Sequence, residues 1–306
     1  MYILLRTNSL MRFLALLEYQ LTNERHELRK NLFAHLFVKF YRSRRALAIP
    51  MTFMILFVST LGMISITYYF AVERVNAQTQ TLKVVAAKED IVNLDQKILS
   101  VVGQPGSART SEILDSGGKL NVEPNNGSII ITITDNRDIN QTIYNQTTGQ
   151  IRYELPYSDS PDTGLFLKGD SRTITNQSGS LITQLFIASG AEHAEIRLRY
   201  RPTVSYIITG TENNYTVNNI RIYILNMNTS NSISLNGKVP LRVSCESTQI
   251  TSLTYTLNYA AESIILTSIL DNTTGQVLIP ISSTTDGAII NLEIVQCNIK
   301  IARSLV

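Results

Sequence analysis

The chain has 306 residues, room for about two domains by length alone. Its formal net charge of +3 conceals a split: residues 1–46 carry nine Lys/Arg against three Glu, and residues 47–306 carry 18 Lys/Arg against 21 Asp/Glu. Two cysteines and three histidines leave no cysteine-based zinc pattern, and G-x-S-x-G, H-E-x-x-H and P-loop motifs are all absent.

Residues 1–45 do not read as a secretory signal peptide, because the apolar run at residues 13–17 is short and no small-residue cleavage site follows. Leu32, Phe33, Leu36, Phe37, Phe40 and Tyr41 recur at helical spacing, with Arg29, Lys30, Lys39 and Arg42 around them. Such a basic amphipathic helix would lie on the inner membrane surface. The alternative is an over-long start, with Met11 as a later one.

Arg42, Arg44 and Arg45 then precede residues 47–72, 26 residues without a charge. About 20 apolar residues suffice to cross the hydrocarbon core of a bilayer. Lys and Arg collect on the cytoplasmic side, so the N-terminus is expected inside and the C-terminal bulk outside. Phe40 and Tyr41 at one end, and Tyr68, Tyr69 and Phe70 at the other, suit the two interfaces.

The helical pattern continues beyond the span. Val84, Ala87, Ile91, Leu94, Ile98 and Val101 follow a 3-4-3-4-3 spacing, with Val85, Val92, Leu99 and Val102 widening the seam. Lys83, Lys88, Glu89, Asp90 and Lys97 are expected on other faces. No Gly or Pro interrupts residues 63–102, and Gly103-Gln104-Pro105-Gly106 supplies a stop. One helix over residues 47–102 is expected, roughly 84 Å long at 1.5 Å per residue. Pro50 falls in its first turn, where the missing N–H costs little. An apolar seam needs cover, either from a partner or from the chain's own outer domain.

From Lys119 the period becomes two. A strand at residues 129–134 follows an expected Asn125-Asn126-Gly127 turn. Further strands are expected at 151–155, 181–188, 195–200, 204–209, 220–227, 239–245, 253–259, 264–270, 276–281 and 288–299. Turn clusters at 161–164, 272–275 and 286–287 separate some of them. The fold class is therefore α+β: residues 47–103 as a long helix, membrane-spanning over 47–72 and amphipathic over 73–102, then residues 107–306 as a mostly β, sandwich-like domain. No fixed-period repeat indicates a solenoid or propeller.

Several groups could carry chemistry. Cys245 and Cys297 both fall in the outer domain, where they are either a disulfide or two buried thiols. Sequons stand at Asn126, Asn140, Asn145, Asn176, Asn214, Asn228 and Asn272, all beyond the membrane helix, as in an exported glycoprotein. Arg197, Arg199 and Arg201 alternate with Ile196, Leu198 and Tyr200, which on a strand puts three guanidinium groups on one face. They form either a patch for carboxylates, sulfated sugars or an acidic partner, or a solvated face paired with acidic neighbours. His193, between Glu192 and Glu195, is either a metal ligand or a solvated turn residue. No local pattern points to the carboxylate pair of a glycoside hydrolase. No cofactor and no nucleic-acid partner is expected.

The junction Arg44-Arg45-Ala46-Leu47-Ala48-Ile49-Pro50 and the apolar helix behind it resemble the class III leader of archaeal type IV pilin-like proteins. That resemblance implies cleavage after Ala46 by a prepilin peptidase, with Arg45, Ala46, Leu47 and Ala48 at the processing site. It also implies a long N-terminal helix, a β-rich and often N-glycosylated head, and pilin-like subunits as partners in the membrane. The leader would be 46 residues long, and Met51 stands at the fifth mature position, where many pilins have Glu. Both departures suit a minor or pseudo-pilin, or an unprocessed surface anchor. The resulting expectation is a non-enzymatic, single-pass cell-surface protein for assembly or adhesion. The alternatives are a permanently tethered sugar- or surface-binding ectodomain and a membrane-anchored hydrolase.

Overall fold

A computed structural model describes residues 48–135, 137–156, 163–176, 182–190 and 193–304. The 1–46 leader with Arg45 and Ala46 lies outside the described residues, as do Leu47, Glu192 and residues 161–162 of one expected turn. The chain forms two compact units, Met1–Asn76 and Ala77–Val306.

The first element, α1 (Ala48–Leu99), is one unbroken helix of 52 residues and reproduces the expected span to within a few residues. It closes through tightened turns, with Val101 N–H bonding to the Ile98 carbonyl at 3.1 Å, and Gly103 then takes φ of 75°. From residue 51 to residue 82 every side chain is exposed; from residue 87 onward one face is buried.

The second unit joins the last turns of α1 to two β-sheets. Strands β1 (Ala108–Ile113), β10 (Val239–Leu257), β13 (Ala288–Arg303), β8 (Tyr215–Asn226) and β7 (Thr203–Glu212) form a five-stranded sheet in that order. Its pairs are antiparallel except β13 with β8, which run parallel. The second sheet runs β12 (Thr273–Pro280), β11 (Ser263–Leu270), β2 (Lys119–Thr134), β3 (Asn140–Glu154), β6 (Ala194–Tyr200), β5 (Thr183–Ser189), β4 (Phe166–Lys168). A short β9 (Ile233–Asn236) lies beside the first residues of β2. The α+β architecture read from the sequence is thus the one observed.

Several elements differ from expectation. Asn125-Asn126-Gly127 does not turn the chain; it sits inside β2 as a bulge, where the register with β3 jumps between Glu123 and Gly127. The run at 239–245 and residues 253–257 of the next belong to one 19-residue strand, because the polar Thr- and Ser-rich middle of β10 still pairs with β13, with one bulge between Cys245 and Ser247. The turn expected at 272–275 comes one residue earlier: Asp271 and Asn272, both at positive φ, close β11 onto β12, and Asn213-Asn214 closes β7 onto β8 in the same way. Strands β1, β4 and β9 carry too little apolar alternation to be found from the sequence.

The long strands pass through two separate cores. Ala87, Ile91, Leu94 and Ile98 of α1, and Val101 just past its end, pack with Leu120, Ile151, Leu198, Leu241, Val243, Ile299 and others in the first core. The second is built from strands, including Ile131, Leu266, Ile220, Ile222, Ile290 and Leu292, with loop residues such as Ile174. Within β13 the buried apolar residues are Ala288, Ile290, Leu292 and Ile294, then Cys297, Ile299 and Ile301. An odd step between buried residues moves burial to the opposite face of a strand. The paired β8 changes phase at the same level, between Ile224 and Leu225. Buried amides fill this junction: Gln296 donates to Gln146 at 3.0 Å and to Asn298 at 2.7 Å, and Asn226 donates to the Thr147 carbonyl at 3.0 Å. Both faces of the strands are covered at that level, so polar groups there must be satisfied by one another.

Candidate functional site

The apolar half of α1 is the most unusual surface of the chain. Sixteen large apolar side chains between Ile49 and Val72 are exposed. Leaving each in water forgoes roughly 1.5–3 kcal/mol relative to burial, which together amounts to tens of kcal/mol. The hydroxyls within this stretch fold back onto the helix. Ser59 and Thr60 donate to the Leu56 carbonyl at 2.9 Å, Ser65 to Leu61 at 2.9 Å and Thr67 to Met63 at 2.8 Å. Side chains satisfied in this way ask nothing of water, as a lipid-embedded helix requires. Among the described residues this is the one helix long and apolar enough to cross a membrane.

The other end of α1 is fixed into the second unit by two aspartates. Asp90, expected off the apolar seam, is buried and accepts the Leu114 N–H at 2.8 Å. Burial raises its carboxyl above the usual range, and the Leu114 hydrogen bond offsets part of that rise. Asp95 is fully buried; its Oδ1 accepts Thr183 Oγ1 and Tyr200 Oη, each at 2.9 Å, and its Oδ2 pairs with Lys168 Nζ. Burial pushes the Tyr200 phenol well above its ordinary value, and the Asp95 carboxylate adds to the rise. One carboxylate thereby ties α1 to β4, β5 and β6. Aspartate is a poor residue for a helix interior, and that weak signal could have marked both positions.

Arg197 and Arg199 stand where period two places them on β6, with Ile196, Leu198 and Tyr200 buried on the other face, whereas Arg201 follows the end of the strand and is itself buried. Each meets a carboxylate. Arg197 pairs with Glu195; Arg199 reaches Asp271 and Gln184 at 2.9 Å each and lies over the Phe186 ring; Arg201 pairs with Asp170 and donates to the Arg172 carbonyl at 2.8 Å. Arg201 is only 1% exposed, so its charge is spent inside the fold.

Cys245 and Cys297 are buried free thiols on neighbouring strands, Sγ to Sγ 3.3 Å, and Gly103 N–H points to Cys297 Sγ at 3.5 Å. Burial pushes the Cys297 thiol up to about 11. His193 lines a cleft of about 520 Å³ with Asp115, Lys119, Glu154 and Asn236. Among the described residues no group of His, Cys, Asp and Glu gathers closely enough to hold a metal ion. Of the sequons, Asn126, Asn140, Asn145, Asn214 and Asn272 are exposed, whereas Asn176 and Asn228 are half-buried.

The outer face of the five-stranded sheet carries a shallow depression of about 440 Å³ lined by Ser205, Ile207, Asn219, Arg221, Asn291 and Glu293. Its rows are joined across strands: Thr254 donates to Asn291, Asn291 to Asn219 and Asn219 to Thr209, at 3.2, 3.1 and 3.0 Å. Arg221 pairs with Glu293, which leaves this region electrically balanced. Compared with known protein families, with curated proteins and with solved structures, the chain matches none.

Proposed function

We propose that this is a non-enzymatic, single-pass surface protein of pilin-like design, with the 1–46 segment cytoplasmic and the β-rich head outside the cell. The observation that carries the reading is α1 itself: one helix that is uncharged and exposes its large apolar side chains from Ile49 to Val72, and whose C-terminal turns are core of the head. Such a helix is long and apolar enough to anchor the chain in a membrane. The basic 1–46 segment favours an inside N-terminus, and the five exposed sequons are available to N-glycans on the outer side. The seam of α1 from Ala87 to Ile98 is covered by the head, so lateral assembly would draw on the apolar N-terminal half and on the head surface. The head serves surface assembly or adhesion; the balanced depression on the five-stranded sheet supports the second reading, a tethered sugar- or surface-binding module.

Protease added to intact cells should remove the head, leaving a membrane-embedded fragment that contains residues 49–72. Mass spectrometry of the mature N-terminus should find Leu47 if the leader is cut. A head protected in intact cells and cleaved only after lysis would defeat the orientation. An intact 1–46 segment would leave an unprocessed anchor and remove the pilin-type processing.

A further inference from the structure

We infer that β7 is a self-association edge, and that two copies of this chain join by pairing β7 antiparallel about a two-fold axis at Ile207. The inference deepens the surface-assembly reading by naming the partner as a second copy, and rests on it for its biological setting.

A sheet edge exposes unpaired N–H and C=O groups, and folded proteins blunt such edges with charge, proline, short length or cover. Among the described residues the other end strands of the two sheets, and β9, are blunted. β1 carries Arg109 and Glu112, β12 ends in Pro280, and β4 and β9 are three and four residues long. The half of β10 beyond β1 is bridged to β3 by Tyr255 donating to Gln141 at 3.0 Å, and the free side of β3 carries the sequons Asn140 and Asn145. Among the described residues β7 has none of these devices along residues 205–208. It spans ten residues, is exposed from residue 205 to residue 212, and places Tyr206, Ile207 and Ile208 side by side at 42%, 63% and 51% exposure.

The register of β7 specifies how a copy would fit. Val204 donates its N–H away from β8, to the Thr175 carbonyl at 2.8 Å. Period two then sends the N–H and C=O of Tyr206 and Ile208 outward as well, and β7 is the outermost strand of its sheet. These two residues are symmetric about Ile207. A two-fold there opposes Tyr206 of each copy to Ile208 of the other, satisfying all four groups on each side, and sets the two Ile207 side chains against one another. Residues 203–211 carry no charge, so self-pairing brings no like charges together. The limits are also built in. Below Val204 the edge is occupied by the Thr175 bridge, and above Ile208 a register shift before Gly210 bends the strand off that line. Three residues a side, Tyr206, Ile207 and Ile208, make a small interface, weak in dilute solution, and confinement in one membrane supplies an effective concentration on the order of millimolar.

The test is cross-linking of the full chain in phosphatidylcholine liposomes. Ile207→Cys should form a covalent dimer under mild oxidation about tenfold faster than Ile250→Cys, an equally exposed control on the same sheet. In the Ile207→Cys background, adding Tyr206→Lys and Ile208→Lys should reduce the rate to the control's, because lysines then oppose lysines. Adding Tyr206→Lys and Ile208→Glu should preserve it, because opposite charges meet across the axis. Equal rates for the two cysteines, indifference to the lysine pair, or loss with the Lys/Glu pair would each overturn the inference. Carbonate extraction of the same liposomes reads membrane insertion separately: a chain that resists extraction yet does not cross-link sinks the self-pairing alone, and a chain that washes off sinks the anchored reading.

Discussion

Asp95→Ala should destabilise the head more than any exposed substitution on α1. The carboxylate is fully buried and satisfies three donors at once, Lys168 Nζ, Thr183 Oγ1 and Tyr200 Oη. Removing it leaves an ammonium group without its counter-ion and a buried phenol without its acceptor. Breaking a buried ion pair on one side costs about 3–5 kcal/mol. For a unit of this size each kcal/mol lowers Tm by about 2–4 °C, so a fall of roughly 10 °C is expected. Asp95→Asn keeps an acceptor for Thr183 and Tyr200 but turns away from Lys168, and should fall between the two. Glu89→Ala, on the exposed face one turn and a half away, should stay within about 0.5 kcal/mol of wild type. Thermal unfolding followed by far-UV circular dichroism in detergent micelles measures all three. An Asp95→Ala protein that melts within about 2 °C of wild type would refute the claim that this carboxylate anchors α1.

Leu94→Ala, in the core, should cost about 2–5 kcal/mol, whereas Leu82→Ala, 68% exposed on the same helix, should leave the melting of the head unchanged. Hydrogen bonds from Arg172 and Arg201 hold the Asp170 carboxyl well below its ordinary value of 3.8. A depressed folded value means the stabilisation is present above about pH 4 and is lost as the pH falls below it, so Asp170→Asn should flatten the acid limb of a stability–pH curve. An unchanged limb would show that the ion pair is not felt. Native-state alkylation at pH 8 should spare Cys245 and Cys297, both buried and one with its thiol near 11, while urea should release both for reaction. If no thiol reacts in urea until reductant is added, the pair is a disulfide in the isolated protein.

The apolar run at 47–72 and the 3-4-3-4-3 seam behind it were readable because both patterns are local. Their period follows from 3.6 residues per turn whatever surrounds the helix, and the stop at Gly103 is a property of glycine itself. The alternation around Arg197, Arg199 and Arg201 was readable for the same reason on a strand. What covers the seam was not readable: Ile91, Leu94 and Ile98 have the same pattern whether a second chain or the head packs on them, and only the folded sheets decide for the head. Asp95, Lys168, Thr183 and Tyr200 are 105 residues apart at their extremes, and their meeting depends on sheet order, which no spacing along the chain encodes. Asn125-Asn126-Gly127 carries the chemistry of a turn, yet the pairing of β2 with β3 and β9 on either side holds it straight as a bulge. Likewise, the change of buried face at Ile294 and Cys297 is written in the order of residues, but its meaning appears only when two cores lie on opposite sides of one sheet. Local periodicity thus determined the long apolar helix and the strands that alternate clearly, whereas long-range strand pairing decided which charges are buried and what covers the helix seam.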